Sequence, residues 1–296
     1  MINKETLIRQ LIDLGICNGD IIHIKVSLKS IGRIEGGANT LIESLLAVIG
    51  EQGCLVCDSF VSSQIELFRY FKKKIFDKNS MSYAGAFVNA AIKYPGAFRS
   101  SHPIQAFTAI GGNAKELTEQ FTKDSLPYEF LEKLAALGAK NLRIGPDKKI
   151  VGVGTTHVAI CRLGFWQKQI VKGIYYRNDD GQLKWFRQNW ADGCATGFKQ
   201  LMPSYYEGGA VIAKGKVGET DALLTDMQKT LDIEYRLFKK DPTAFMCGRK
   251  ECVYCSFTWE NSRYSFEDCF WGNVKKKKYK KAIQALVIQV FGKKLK

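Results

Sequence analysis

The sequence predicts an α/β/α sandwich around a mixed sheet. Three observations carry the prediction. Short β-branched runs alternate with amphipathic runs of helical period over the first 160 or so residues. The first strand run, IIHIKVSL, is apolar almost throughout, as in a strand covered on both faces. A chain of 296 residues, 46% of them hydrophobic, is long enough to bury a full core.

The elements follow in order. KETLIRQLIDLG places Leu7, Ile8, Leu11 and Ile12 on one helical face, with Gly15 as a stop and Asn18-Gly19 as a turn. IIHIKVSL is then a strand, and a helix entered at Asn39 or Thr40 follows the Gly36-Gly37 pair. GCLVCDSF is the next buried strand, on which Cys54 and Cys57 point to opposite faces and so form no metal pair. Helices are expected at YAGAFVNAAIKYP, NAKELTEQF and YEFLEKLAALG, and strands at IQAFTAI, KNLRIG and IVGVG. Beyond Phe165, two aromatic runs flank an Asn-Asp-Asp-Gly turn and predict a hairpin. GGAVIAKGKVG reads as a strand, and ETDALLTDMQKTLDIEYRLF as one amphipathic helix with a carboxylate at its start. No internal repeat or low-complexity linker interrupts the chain. Residues 1–240 are therefore read as one domain and 241–296 as a cysteine- and lysine-rich appendage.

The formal charge of +15 points to anionic partners such as a nucleotide, coenzyme A or an anionic membrane surface. The run KKKKYKK lacks aromatic interleaving, so a solvated face is its ordinary reading and nucleic acid is not expected. No stretch approaches the roughly 18 apolar residues of a membrane span, and no apolar leader follows MINKETLIRQ. Nine cysteines, an odd number, then imply reduced thiols in a cytoplasm.

Only three histidines are present, and a base working near neutral pH comes most simply from them. His23 lies inside a buried strand and reads as structural. His102, before Pro103, either orients a substrate or ties down a loop. His157, in VGVGTTHVAI, sits at a strand-to-helix junction, where α/β folds expose side chains to a ligand crevice. EGGANTL offers close backbone approach and the free N–H groups of a helix start, with Lys25, Lys29 and Arg33 nearby for phosphates. It is neither a P-loop nor Gly-x-Gly-x-x-Gly, which disfavours an NTPase or a Rossmann dinucleotide site.

GDIIHIKVSLKSIGRIEGGANTLIESLLAVIGEQGCLVCDSF, YAGAFVNAAIKYPGAFRSSHPIQAFTAIG, LEKLAALGAKNLRIG, VGVGTTHVAI and GGAVIAKGKVGETDALLTDMQKTLD, in that order, resemble the aminoglycoside 3-N-acetyltransferase family, with its antibiotic N-acetyltransferase fold. The likeness covers about Glu5 to Asp232. It implies transfer of an acyl group from acyl-CoA to a primary amine. Lys25, Ser27, Leu28, Lys29, Ser30, Gly36 and Gly37 would contact coenzyme A, and His157 would be the general base. Arg99, His102, Thr155 and Thr156 would bind the acceptor. Where the family reads Thr-x-x-His-x-Ala-Glu, this chain has Ile160 in place of the glutamate, so the base lacks its supporting carboxylate. Asp179, Asp180 and Asp192 are open candidates for an acid.

The basic charge favours a nucleotide-linked aminosugar as acceptor, since an aminoglycoside is itself a polycation; the resemblance, which extends to sugar N-acyltransferases of surface polysaccharide pathways, implies a dTDP-linked amino deoxysugar. An aminoglycoside acceptor is the alternative. A non-enzymatic module gripping nucleic acid or an anionic membrane through its lysine-rich end is the reading of another class. Finally, Cys247, Cys252, Cys255 and Cys269 have the spacing of a closed zinc site or, secondarily, of a [2Fe–2S] cluster, against free thiols as the plain reading.

Overall fold

The computed structural model describes residues 1–146 and 153–295. Helix α1 (Lys4–Asp13) starts at Asn3, whose side chain accepts the Thr6 N–H, and buries Leu7 and Leu11. β1 (Ile21–Val26), the one-turn helix α2 (Leu28–Ile31), α3 (Ala38–Ile49) and β2 (Cys54–Asp58) form the expected strand, helix, strand unit. Gly37 takes the N-cap of α3, two or three residues before the expected entry at Asn39 or Thr40. Gly36 and Gly37 have φ of 71° and 68°, the left-handed region that glycine enters without strain.

Short pieces β3 (Gln64–Ile65) and β4 (Ile75–Phe76) precede α4 (Ala86–Ile92), β5 (Phe98–Arg99), β6 (Phe107–Gly111), α5 (Ala114–Glu119), α6 (Glu129–Ala136) and β7 (Lys140–Ile144). The strand expected at IVGVG lies largely outside the described residues; α7 (Thr155–Arg162) follows it. β8 (Gln167–Gln169) leads to the expected hairpin of β9 (Lys172–Arg177) and β10 (Leu183–Arg187), turned at Gly181. α8 (Ala195–Phe198), α9 (Met202–Glu207) and β11 (Val211–Val217) come next.

One long reading is corrected here. Thr220–Asp226 is a strand, β12, and only Met227–Lys240 is helix, α10. Gly218 turns the chain at φ 60°, and β12 then pairs antiparallel with both β11 and β7. Two flanking strands and the burial of Ala222, Leu223 and Leu224 outweigh a composition that favours helix. The capping carboxylate is accordingly Asp226, which accepts the Lys229 N–H.

The main sheet has seven strands in the order β11-β12-β7-β1-β2-β6-β5. β1 runs parallel to β2 and β7, and the remaining pairs are antiparallel. One face carries Ile22, Ile24, Leu55 and Cys57 against α1, α3 and α4; the other carries Cys54 and Val56 against α6, α7 and α10. Cys54 and Cys57 thus face opposite layers, as strand alternation requires.

Beyond α10 the chain packs onto the body. Phe245, Met246, Cys247, Cys252, Cys255 and Trp259 belong to the same buried cluster as α7 and α10. Helices α11 (Phe266–Lys275) and α12 (Tyr279–Phe291) close on Val253, Cys269 and Ala285. A last strand, β13 (Lys293–Leu295), pairs antiparallel with β8. The lysine run sits at the α11–α12 junction, where Lys276 pairs with Glu251 at 2.9 Å. Among the described residues no helix is long and apolar enough to cross a membrane.

Candidate active site

A cleft of about 710 Å³ opens beyond the carboxyl ends of β2 and β7, a size suited to a small ligand. Its walls include Phe60 to Ser63 after β2, Gln105 before β6, His157 on α7, and Gly193, Ala195 and Phe198 around α8. Parallel strands on either side of β1 send their following segments to the same end of the sheet.

His157 is the one histidine on this cleft. Its ring stacks on Tyr128 with centroids 4.6 Å apart and meets the edge of Phe198 at 5.0 Å. Nδ1 is buried with no hydrogen-bond partner among the described residues. Ile160, at the position of the family's glutamate, is 1% exposed and packed in the core, so no carboxylate fixes this nitrogen. Burial first, and the positive charge of Lys25 second, lower the imidazole pKa to about 3, with Asp58 opposing. At neutral pH the ring is therefore uncharged, with a free lone pair, and it is a weak base that only negative charge developing beside it, as on a transition-state oxyanion, would strengthen.

Tyr128 holds the imidazole from behind and caps α6 with φ of 59°. A non-glycine residue in that region costs of order 1 kcal/mol and marks a position fixed by its surroundings. Its N–H is held by Gln105 Oε1 at 3.1 Å. Pro127 before a helix start was the only signal for it in the sequence. Gly193 is equally close: a Cβ there would collide with the Phe198 ring and lie 2.9 Å from His157 Cε1.

Four residues expected to bind the acceptor have other roles. Arg99 donates from Nε to Ser59 Oγ at 3.1 Å and from its other nitrogens to the carbonyls of Ser59, Lys78 and Ser80, which occupies its guanidinium in bracing loops. His102 is 1% exposed, and its Nδ1 accepts the N–H groups of Ile104 (3.2 Å) and Gln105 (3.0 Å). Of its two readings, the loop tie is the one observed. Thr155 and Thr156 are fully buried and bond to Thr230 and Glu234 on α10. They sit at the start of α7, where their side chains turn toward the neighbouring helix and away from the cleft.

His23 is structural, as read: it is fully buried, with Nδ1 2.8 Å from Asn141 Oδ1 and Nε2 2.7 Å from Asp58 Oδ1. The charges of His23 and Lys25 hold the Asp58 carboxyl below its usual range despite burial. Asp179 and Asp180 are exposed at the β9–β10 turn, leaving Asp192 as the candidate acid that reaches the cleft. Asp192 lies 3.4 Å from Lys172 Nζ and accepts from Gln188 Nε2 at 3.2 Å.

Glu234 was not anticipated. It is fully buried on α10 and accepts short hydrogen bonds from Thr156 Oγ1 and Tyr205 OH. Burial raises its pKa to about 7, against the opposing effect of those two donors. It ties α7, and with it His157, to α10 and α9.

The expected coenzyme A contacts lie in one stretch. Ser27 and Ser30 bond to each other at 2.8 Å across α2, Lys29 is exposed, and Gly36-Gly37 lead into the twelve-residue α3, whose start has no side-chain cap. Lys25 differs from the expectation in being shared with Asp58 at 3.5 Å.

The expected metal set is also corrected. Cys269 is buried between α11 and α12, where its sulfur accepts from Asn273 at 3.6 Å. Cys247, Cys252 and Cys255 instead converge with Cys194 from the body, all four sulfurs lying within 4.8 Å of one another. Cys194 is too far upstream for any short spacing pattern to include it.

A three-layer α/β/α frame with a neutral histidine on a cleft at the ends of its parallel strands defines a recognisable class of protein. The Antibiotic_NAT family profile, described as aminoglycoside 3-N-acetyltransferase, matches residues 22–239, and the chain belongs to that family. Aminoglycoside N(3)-acetyltransferase III of Salmonella sp is 25% identical over 167 residues, 49% of this chain and 56% of the relative. The chain thus spans about half the length of the curated relatives it matches. Among solved structures, AAC-VIa bound to sisomicin superposes with a TM-score of 0.69 at 24% identity, covering 81% of this chain and 98% of that one. AAC-IIIb, a binary complex with CoASH, gives 0.63 at 18% identity, covering 81% and 97%. These relatives overturn the expected nucleotide-linked aminosugar: they are aminoglycoside acetyltransferases. Net charge summed over the whole chain misled the reading, because much of the excess lies in the lysine-rich C-terminal region, whereas the cleft itself holds a single Lys172–Asp192 pair.

Proposed function

We propose that the protein transfers an acetyl group from acetyl-CoA to a primary amine of an aminoglycoside-type aminosugar. The observation that carries the reading is the position of His157, uncharged on a cleft of ligand size, in a chain whose other two histidines are locked into structural bonds. The CoASH complex of AAC-IIIb and the sisomicin complex of AAC-VIa support the donor and acceptor classes.

The amine nitrogen attacks the thioester carbonyl while His157 takes the proton that nitrogen sheds. The C–N bond forms, the C–S bond breaks, and the proton passes to the departing thiolate. In this reading Ser27 to Ser30 and the Gly36-Gly37 entrance to α3 hold the donor's phosphates and pantetheine. Asp192 is the carboxylate available to an acceptor ammonium group.

Release of coenzyme A thiol from acetyl-CoA, measured against a panel of aminoglycosides, tests the reading. His157→Asn is expected to lower turnover by roughly 10²-fold or more with an unchanged far-UV spectrum. Asp192→Asn is expected to raise KM for the amine and leave KM for acetyl-CoA alone. No thiol release with any acceptor, or a wild-type rate in His157→Asn, would overturn it.

A further inference from the structure

We propose that Cys194, Cys247, Cys252 and Cys255 bind one structural zinc ion that fixes a wall of the His157 cleft. The inference stands on the convergence of four thiols from two distant parts of the chain. Their sulfurs all lie within 4.8 Å of each other, and Cys194 Sγ is 3.6 Å from Cys252 Sγ. A tetrahedral zinc with bonds of about 2.3 Å places its sulfurs about 3.8 Å apart. A disulfide needs sulfurs about 2 Å apart and would occupy only two of the four. A two-iron cluster spreads its thiolates over two metals and requires a wider set.

The local backbone is built for such a site. The N–H groups of Cys255 and Ser256 bond to the Cys252 carbonyl at 3.1 and 2.9 Å, the tight turn of a Cys-x-x-Cys pair. Gly248 follows Cys247 with φ of 66° and lets the first ligand turn inward. On the other side, Cys194 immediately precedes α8. Gly197 in that helix is pressed so closely on the Phe245 carbonyl that a Cβ would collide with it. The body and the C-terminal segment therefore meet backbone to backbone at the thiols.

Charge agrees with the assignment. Zinc bound to four thiolates carries a net charge of −2. Arg249, two residues past Cys247, donates at 3.1 Å to Thr196 Oγ1 and lines one groove with Cys194 and Cys252, which puts a positive charge beside the thiols. Lys276, Lys278 and Lys281 line the same groove.

The consequence for the cleft is direct. Gly193 and Ala195, on either side of ligand Cys194, both line it, as does Tyr254 between ligands Cys252 and Cys255. The ion would hold these three residues in the cleft wall, where a Cβ on Gly193 would meet both Phe198 and His157. This role rests on the cleft being the active site; the metal itself does not, and its test is independent of activity.

Metal content per chain is measured by plasma mass spectrometry on full-length protein purified without chelator, alongside Cys194→Ser, Cys252→Ser and Cys269→Ser. One zinc per chain is expected in the wild type and in Cys269→Ser, with loss in the other two. Replacement by Co²⁺ is expected to give the intense thiolate charge-transfer band and visible bands of a four-sulfur tetrahedral site. Cys194→His, which restores a ligand and so separates loss of metal from loss of fold, is expected to regain zinc and shift the cobalt bands. Metal lost from Cys269→Ser but kept by Cys194→Ser would overturn the ligand set. A coloured iron protein, or no stoichiometric metal even after added Zn²⁺, would overturn the zinc assignment.

Discussion

His102 provides the sharpest separation of structural from functional histidines. Its ring stacks on Phe121 at 5.0 Å and 13°, with the edges of Phe186 and Trp190 against it, and burial lowers its pKa from 6.5 to about 3. The unfolded chain takes up a proton at this residue near pH 6.5, whereas the folded protein does so only near 3. Folding stability due to this group is therefore fully present above pH 6.5 and is lost as pH falls from 6.5 toward 3. At about pH 5 the loss is about 1.36 kcal/mol for each of about 1.5 pH units, or about 2 kcal/mol. Any native value below about 4 gives nearly the same figure, because at that pH the unfolded state sets it. His102→Asn keeps an oxygen in place of Nδ1 to accept the Ile104 and Gln105 N–H groups but cannot titrate. Urea unfolding of both proteins at about pH 7.5 and about pH 5 is expected to show the wild type losing about 2 kcal/mol more than the variant between the two. Turnover of the variant at the higher pH stays near wild type. Equal losses in the two proteins, or a collapse of turnover in the variant, would refute a purely structural His102.

Glu234 gives the opposite sign. Its carboxyl is raised from 4.5 to about 7, so the stability it contributes is present below pH 4.5 and declines as pH rises through 7. Glu234→Gln keeps acceptors for Thr156 and Tyr205, and urea unfolding is expected to show it losing roughly 2 kcal/mol less than wild type between about pH 5 and 8. Glu234→Ala, which strips the buried Tyr205 hydroxyl of its acceptor and leaves Thr156 Oγ1 only the Val153 carbonyl at 3.4 Å, is expected to lower stability by about 2–4 kcal/mol at neutral pH by the same measurement. Gly193→Ala forces a methyl between Phe198 and His157, and steady-state kinetics are expected to show kcat/KM falling roughly 10- to 100-fold with KM for acetyl-CoA unchanged.

The sequence carried the layers of the fold because most elements announce their own period. IIHIKVSL and GCLVCDSF became central strands, and α1, α3 and α6 fell where their apolar faces repeat. β12 was missed because ETDALLTD has a local preference for helix and becomes a strand only between two partners it meets after folding. His157 was legible because a histidine after glycines at a strand-to-helix junction is a local pattern. The acceptor residues were not, since Arg99, Thr155 and Thr156 look the same in sequence whether they face a cleft or brace a helix. Cys194 has no local signal at all: only the folded chain brings it to Cys247, Cys252 and Cys255.

The buried His23 cluster sets an order on the making of this molecule. His23 and Asp58 are 35 residues apart, but Asn141, the third member, lies 118 residues beyond His23. At roughly 5–20 residues per second of synthesis, β1 waits about 6–24 s for β7 to emerge. During that interval the side of β1 that will pair with β7 has unmatched backbone groups and the imidazole lacks one of its partners. Nascent chains stalled within that window are the stage at which this protein is most exposed to misassociation and to capture by holding chaperones.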